Sequence, residues 1–100
     1  VKWSTSAESN SASFTLYRAA GLSNERKIAN SAQKITPADI DAGTDGRGGA
    51  YDYIDESAIA GQAYTYWLVE TEQDGRINIY GPAQRPATTE YQVFLPFLRR

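Results

Sequence analysis

Apolar and polar positions alternate in short runs along most of this chain, with the period of two that belongs to strands buried on one face. Val1-Lys2-Trp3-Ser4-Thr5 is the first such run and Phe14-Thr15-Leu16-Tyr17-Arg18 the second. A weaker run covers Arg26 to Ala29, and another, Ala50 to Asp55, places Tyr51 and Tyr53 on one side. Tyr64 to Thr71 is the richest in aromatic and β-branched residues, and Arg76 to Tyr80 alternates once more. Small polar residues (Ser6 to Ser13), Gly21 with Ser23-Asn24, and the acid- and glycine-rich stretch Pro37 to Gly49 separate the runs as loops. Gly81-Pro82 and Pro86 end the last strand, and Ala87 to Glu90 reads as a linker. No segment of useful length carries the helical period, so the expected class is all-β.

The runs Tyr64 to Thr71 and Arg76 to Tyr80 flank Asp74-Gly75, a strong hairpin signal because glycine takes the positive φ that a tight turn requires. Alternation then divides each strand into two faces. Phe14 and Leu16, Tyr64, Tyr66 and Leu68, and Ile77 and Ile79 are expected inward. They join Trp3, Ile28, Tyr51, Tyr53 and Ile59 in the expected core. The opposite face receives Tyr17, then Thr65, Trp67 and Val69, then Asn78 and Tyr80.

Length and composition narrow the chemistry. The chain has 100 residues, room for a single two-layer core. It contains no Cys and no His, which excludes thiol catalysis, Cys/His zinc sites and imidazole acid–base chemistry. A net charge of −2 with scattered Lys and Arg gives no electrostatic case for nucleic acid. No apolar run approaches the roughly 18 residues of a membrane span. Asp52, Asp55, Glu70 and Glu72 are the carboxylates from which a catalytic pair would be drawn. The hairpin end instead suggests that Glu70 and Glu72 are solvated, where they discourage edge pairing. Asp39, Asp41 and Asp45-Gly46 lack the spacing of a calcium loop and the glutamate that closes it. Asp-Gly-Arg at residues 45 to 47 and 74 to 76 is explained by turn chemistry. No cofactor is expected.

Trp3 on an early strand, Phe14-x-Leu16-Tyr17-Arg18, and Ile59-x-Gly61-x-x-Tyr64-x-Tyr66-x-Leu68 together resemble the fibronectin type III pattern. In that family the second strand carries a buried Trp, and a Leu-x-Pro-Gly-x-x-Tyr corner opens the sixth. Here Ile59, Ala60 and Tyr64 stand for the Leu, the Pro and the corner Tyr. The resemblance runs from Val1 to Pro86 and is closest to the variant of secreted and cell-surface bacterial proteins. That variant is matched by Trp3-Ser4-Thr5-Ser6-Ala7-Glu8, Tyr51-Asp52-Tyr53-Ile54-Asp55 and Tyr80-Gly81-Pro82. The family's first strand would lie upstream of Val1, so the chain reads as a piece of a longer protein. Residues 90 to 100 follow where the fold should end and resemble short Tyr-x-x-Phe/Tyr-Leu-Pro-x-x-Arg tails of secreted bacterial proteins.

The resemblance implies an immunoglobulin-like β-sandwich over residues 1–86, a linker and apolar tail over 87–100, and a non-catalytic binding or spacer role outside the cell. In the family's sheet order Tyr17, Trp67, Val69 and Tyr80 are neighbours. They make either ordinary cross-strand pairs or a patch for a partner. The partners implied are other domains of the same polypeptide, a cell-surface protein or a polysaccharide. An accessory carbohydrate-binding module, stacking sugars on Tyr17, Trp67 and Tyr80, is the alternative. The tail, through Tyr91, Val93, Phe94 and Leu95, is expected to cover the edge left by the missing strand, in its own molecule or in a swapped dimer, or else to act as a sorting tag.

Overall fold

A computed structural model describes residues 1–5, 11–36, 40–41, 49–86 and 95. Its elements, all strands, are β1 (Lys2–Thr5), β2 (Ser11–Ala20), β3 (Gln33–Lys34), β4 (Ile40–Asp41), β5 (Gly49–Asp52), β6 (Tyr64–Glu72) and β7 (Ile77–Arg85). Among the described residues there is no helix, and all pairings are antiparallel. One sheet is β1–β5. The other has the order β3–β2–β6–β7, with β4 also pairing β2. The all-β class expected from alternation therefore holds. Some bounds differ. The weak run Arg26 to Ala29 forms no strand, with Ile28 half-buried outside the main core. Conversely, β4 and the first residue of β5 lie within the expected loop Pro37 to Gly49, and β2 begins at Ser11, within the expected loop Ser6 to Ser13.

The two sheets share one hydrophobic core. Val1 and Trp3 from the smaller sheet meet Phe14, Leu16, Tyr64, Tyr66 and Leu68 from the larger, with Leu95 also buried among them. Trp3 stacks on Tyr51 at 5.5 Å, and Phe14 from the opposite sheet tilts against both rings at 5.8 and 5.0 Å. Aromatic pairs at such separations add about 0.5–1.5 kcal/mol beyond their area burial. Tyr53 packs on the rim, and its hydroxyl donates to the Ile35 carbonyl, tying the chain after β5 to the chain after β3.

The hairpin between β6 and β7 corrects the expected faces of β7. Gly75 does take positive φ, at 90°. The loop, however, is Gln73-Asp74-Gly75. The Glu72 N–H donates to the Arg76 carbonyl and the Gly75 N–H to the Glu72 carbonyl. A three-residue loop with glycine in the left-handed position is one residue longer than a two-residue Asp-Gly turn. One residue of register exchanges the two faces of a strand. Ile77 therefore lies opposite Thr71 and Ile79 opposite Val69, on the outer face, 60% and 48% exposed. Asn78 and Tyr80 take the inward positions, opposite Glu70 and Leu68.

Farther along, β7 does not stop at Gly81-Pro82. A register shift between Tyr66 and Leu68 absorbs an extra residue on β7, and pairing resumes from Ala83 to Arg85. Proline is tolerated because β7 is an edge strand and the irregularity frees it from the ladder. Gly81 is required there: a Cβ would sit 2.9 Å from the Tyr66 carbonyl oxygen and 3.3 Å from Trp67 Cδ1.

Ile59 also leaves the expected core, with 67% of its surface exposed. Its contribution comes from the backbone, because the Ile59 N–H donates to the hydroxyl of buried Tyr64 at 2.9 Å. The side chain five residues down the chain is thus anchored by the corner that precedes its own strand.

Candidate interaction surface

The outer face of the larger sheet is where the sequence placed a partner patch, and the structure divides that face in two. Toward the corner end, residues 21 to 25 cross over β6. The Gly21 N–H bonds the Ala63 carbonyl, and Thr65 Oγ1 donates to the Gly21 carbonyl while accepting the Ser23 N–H. Gln84 donates to Ser23 and Asn24 from the far side. The Trp67 indole N–H donates to the Glu25 carbonyl at 3.0 Å, and the side chain is fully buried, at 0% exposed. Trp67 points outward as alternation requires, but its ring is roofed by the chain's own backbone and is no platform for a ligand. An indole with its single donor satisfied and its rings enclosed belongs to the packing of the protein.

The expected four-residue patch therefore does not form. Tyr17 lies opposite Trp67 and is half-buried, and Val69 is half-buried on the same face. Tyr80 is on the other side of the sheet, where it packs against the core and its hydroxyl donates to Glu70 Oε1 at 3.0 Å. What the outer face does present is the row Thr15–Val69–Ile79, with Ser13–Thr71–Ile77 beside it. Reading the two isoleucines inward hid this apolar strip. The signal that would have found it is the loop length, since only the spacing of Glu72 and Arg76 around the turn fixes the register.

The inner face ends in two polar groups. At the corner end, Arg18 Nη1 lies 2.9 and 2.8 Å from the two oxygens of Asp55, and the Tyr66 hydroxyl donates to the same carboxylate at 2.8 Å. Ser57 Oγ donates to Asp55 Oδ1, and the Arg18 guanidinium stands 4.6 Å over the Tyr64 ring. Burial alone would raise the Asp55 carboxyl. Hydrogen bonds from Arg18, Tyr66 and Ser57, with the Arg18 charge, outweigh it and hold the group below its ordinary value. Burial and the adjacent Asp55 carboxylate push the Tyr66 hydroxyl upward, so it stays a donor. At the hairpin end, Glu70 is 0% exposed and Glu72 is also buried, which corrects the expectation of solvated carboxylates. Asn78 donates to both, at 3.0 Å to Glu70 and 2.7 Å to Glu72. Glu70 and Glu72 continue the inward series of Tyr64, Tyr66 and Leu68, a parity visible in the sequence. Asn78 and Tyr80 reach them as donors only because the longer loop turned both inward.

Asp52, the remaining carboxylate, is exposed and pairs with Lys2 at 3.2 Å. Among the described residues no group of acidic side chains is gathered so as to hold a metal ion. Of the suspected calcium loop, Asp39 and Asp45-Gly46 lie outside the described residues. Tyr91, Val93 and Phe94 of the tail also lie outside them. Leu95 is buried, and its N–H donates to the Lys2 carbonyl at 2.9 Å. That carbonyl faces away from β5, because Val1 and Tyr53 exchange the neighbouring bonds. No helix among the described residues is long and apolar enough to cross a membrane. The chain matches no protein-family model, no curated protein and no solved structure.

Proposed function

We propose that the chain is a fibronectin type III-like β-sandwich serving as a non-catalytic binding or spacer module of an exported or cell-surface bacterial protein. The observation that carries the reading is the strand order. A Trp-bearing strand paired with β5, facing a β3–β2–β6–β7 sheet whose β6 opens on a corner tyrosine, is the arrangement the family resemblance implies once its first strand is left out. Its partners would be neighbouring domains of the same polypeptide, or a surface protein or polysaccharide.

The polar groups support a structural role. Asp55 is held ionised by a cation and two hydroxyls, and Glu70 is committed to Asn78 and Tyr80, so both carboxylates are engaged in bonds within the fold. The carbohydrate-binding alternative rested on Trp67, whose burial leaves it without its principal stacking ring. A panel of glycoside, ester, peptide and phosphate substrates tests the non-catalytic reading. No turnover is expected. Turnover abolished by Glu70→Gln or Asp55→Asn, in variants that remain folded, would overturn it. Polysaccharide pull-down and mixing with the adjoining domain of the parent polypeptide then separate binding from spacing.

A further inference from the structure

We infer that the free edge of β7 is a self-complementary interface through which two copies of this chain join their larger sheets across a two-fold axis at Asn78. The inference stands on the geometry of one strand and does not depend on the family reading.

Among the described residues β7 is the last strand of its sheet, and the direction of its backbone groups follows from the hairpin. Glu72 and Arg76 form the hydrogen-bonded pair that closes the loop. Alternation along an antiparallel ladder then makes Asn78–Glu70 and Tyr80–Leu68 the bonded pairs. The N–H and C=O groups of Ile77 and Ile79 consequently point away from β6. The other side of β6 obeys the same alternation. Leu16, opposite Leu68, turns its carbonyl to the Ile35 N–H and its own N–H to Thr36 Oγ1. Ile77 and Ile79 thus offer two donors and two acceptors on an open edge, with no backbone partner among the described residues. The same two residues carry exposed apolar side chains.

An extended strand is the ligand such an edge takes. The strand that fits best is β7 itself. Antiparallel pairing about Asn78 sets Ile77 of each copy opposite Ile79 of the other, with all four edge-facing residues in bonded pairs. Arg76 then faces Tyr80 of the second copy, so no like charges are opposed. On the outer face Val69, Ile77 and Ile79 of both copies become one continuous apolar cluster, rimmed by Thr15 and Thr71. Gly81-Pro82 ends the ladder on each side, which keeps the paired segment short and the association weak.

Sedimentation velocity and amide hydrogen exchange by NMR, on the whole chain from micromolar to millimolar concentration, test the inference together. Mass should rise toward the dimer with concentration. The Ile77 and Ile79 amides should exchange rapidly when dilute and gain protection of at least tenfold on association, while Asn78 and Tyr80 are protected throughout. Ile79→Lys places two added charges at the apolar cluster, and Ile77→Pro removes an edge-facing N–H together with the Ile77 side chain. Both variants should keep the wild-type circular dichroism and remain monomeric. A chain that stays monomeric to millimolar concentration overturns the inference. So does a dimer in which the Ile77 and Ile79 amides stay unprotected, as a dimer swapped through residues 90 to 100 would leave them.

Discussion

The two ends of the larger sheet solve the same burial problem differently. At the corner end, residues 21 to 25 roof the outer face over Thr65 and Trp67, while the Arg18–Asp55–Tyr66 cluster closes the inner face. At the hairpin end the outer face is open along β7: Ile77 and Ile79 are exposed, whereas Thr15 is buried and Val69 half-buried. The polar groups Glu70, Glu72, Asn78 and Tyr80 occupy the inner face there. On the outer face, Trp67 lies where the chain covers itself, and Ile77 and Ile79 stand at the exposed edge. An exposed apolar strip confined to the uncovered end marks the part of the face available for contact, whereas Trp67 belongs to the part that stabilises the fold.

That contrast is broken most severely at Trp67. Trp67→Ala should lower stability by about 3–5 kcal/mol, the range for emptying a large aromatic site in a core, read as a drop in the urea midpoint. A loss under about 1 kcal/mol would place the indole on the surface and erase the difference between the ends.

Gly81 is the next largest. It holds φ of 123°, and an added Cβ would meet the Tyr66 carbonyl oxygen at 2.9 Å, so Gly81→Ala should cost about 1–3 kcal/mol and loosen the packing of β7 on Trp67. Gly75→Ala, at φ of 90° with open space around it, should cost less. Equal losses at the two glycines would show that the close approach at Gly81 adds nothing.

Tyr64→Phe should cost about 1 kcal/mol, because the Ile59 N–H loses its acceptor while the ring stays in place. Asp55 sharpens the comparison through pH. Its carboxyl lies lower folded than unfolded, so the unfolded chain binds the proton more readily. The stabilisation is complete above the ordinary value of 3.8 and is lost as pH falls through the lower folded value. Asp55→Asn should flatten the acid limb of stability against pH below about 4. An acid limb identical in the variant would assign it to other carboxylates.

The smallest effect belongs to the bare end. Ile79→Thr in the dilute monomer should change stability by no more than about 0.5 kcal/mol, as for a surface site. A loss comparable to that at Trp67 would mean that the strip is part of the core.

The inward positions of β1, β2 and β6 are legible in the sequence and those of β7 are not, for physical reasons. Trp3, Phe14, Leu16, Tyr64, Tyr66 and Leu68 were placed inward by alternation, since each lies in a strand whose own pattern is unbroken. In β7, alternation puts Ile77 and Ile79 on one face and their apolar character points that face inward, yet the faces are set by a turn three residues long. One residue of loop length outweighed the apolar character of Ile77 and Ile79 because register acts on the whole strand. The roof over Trp67 was not legible either. Its bonds to Glu25 and Thr65 join backbone groups to side chains about forty positions away, and no local pattern announces them.

The division of the outer face is tested most directly by quenching the tryptophan emission of the native protein with acrylamide. The chain has two Trp, and both indoles are enclosed, Trp3 between the sheets and Trp67 under residues 21 to 25. Emission should be blue-shifted and resist quenching almost entirely until the urea transition, where both rings become accessible together. A native spectrum in which about half the emission is red-shifted and readily quenched would put Trp67 in solvent and contradict the account.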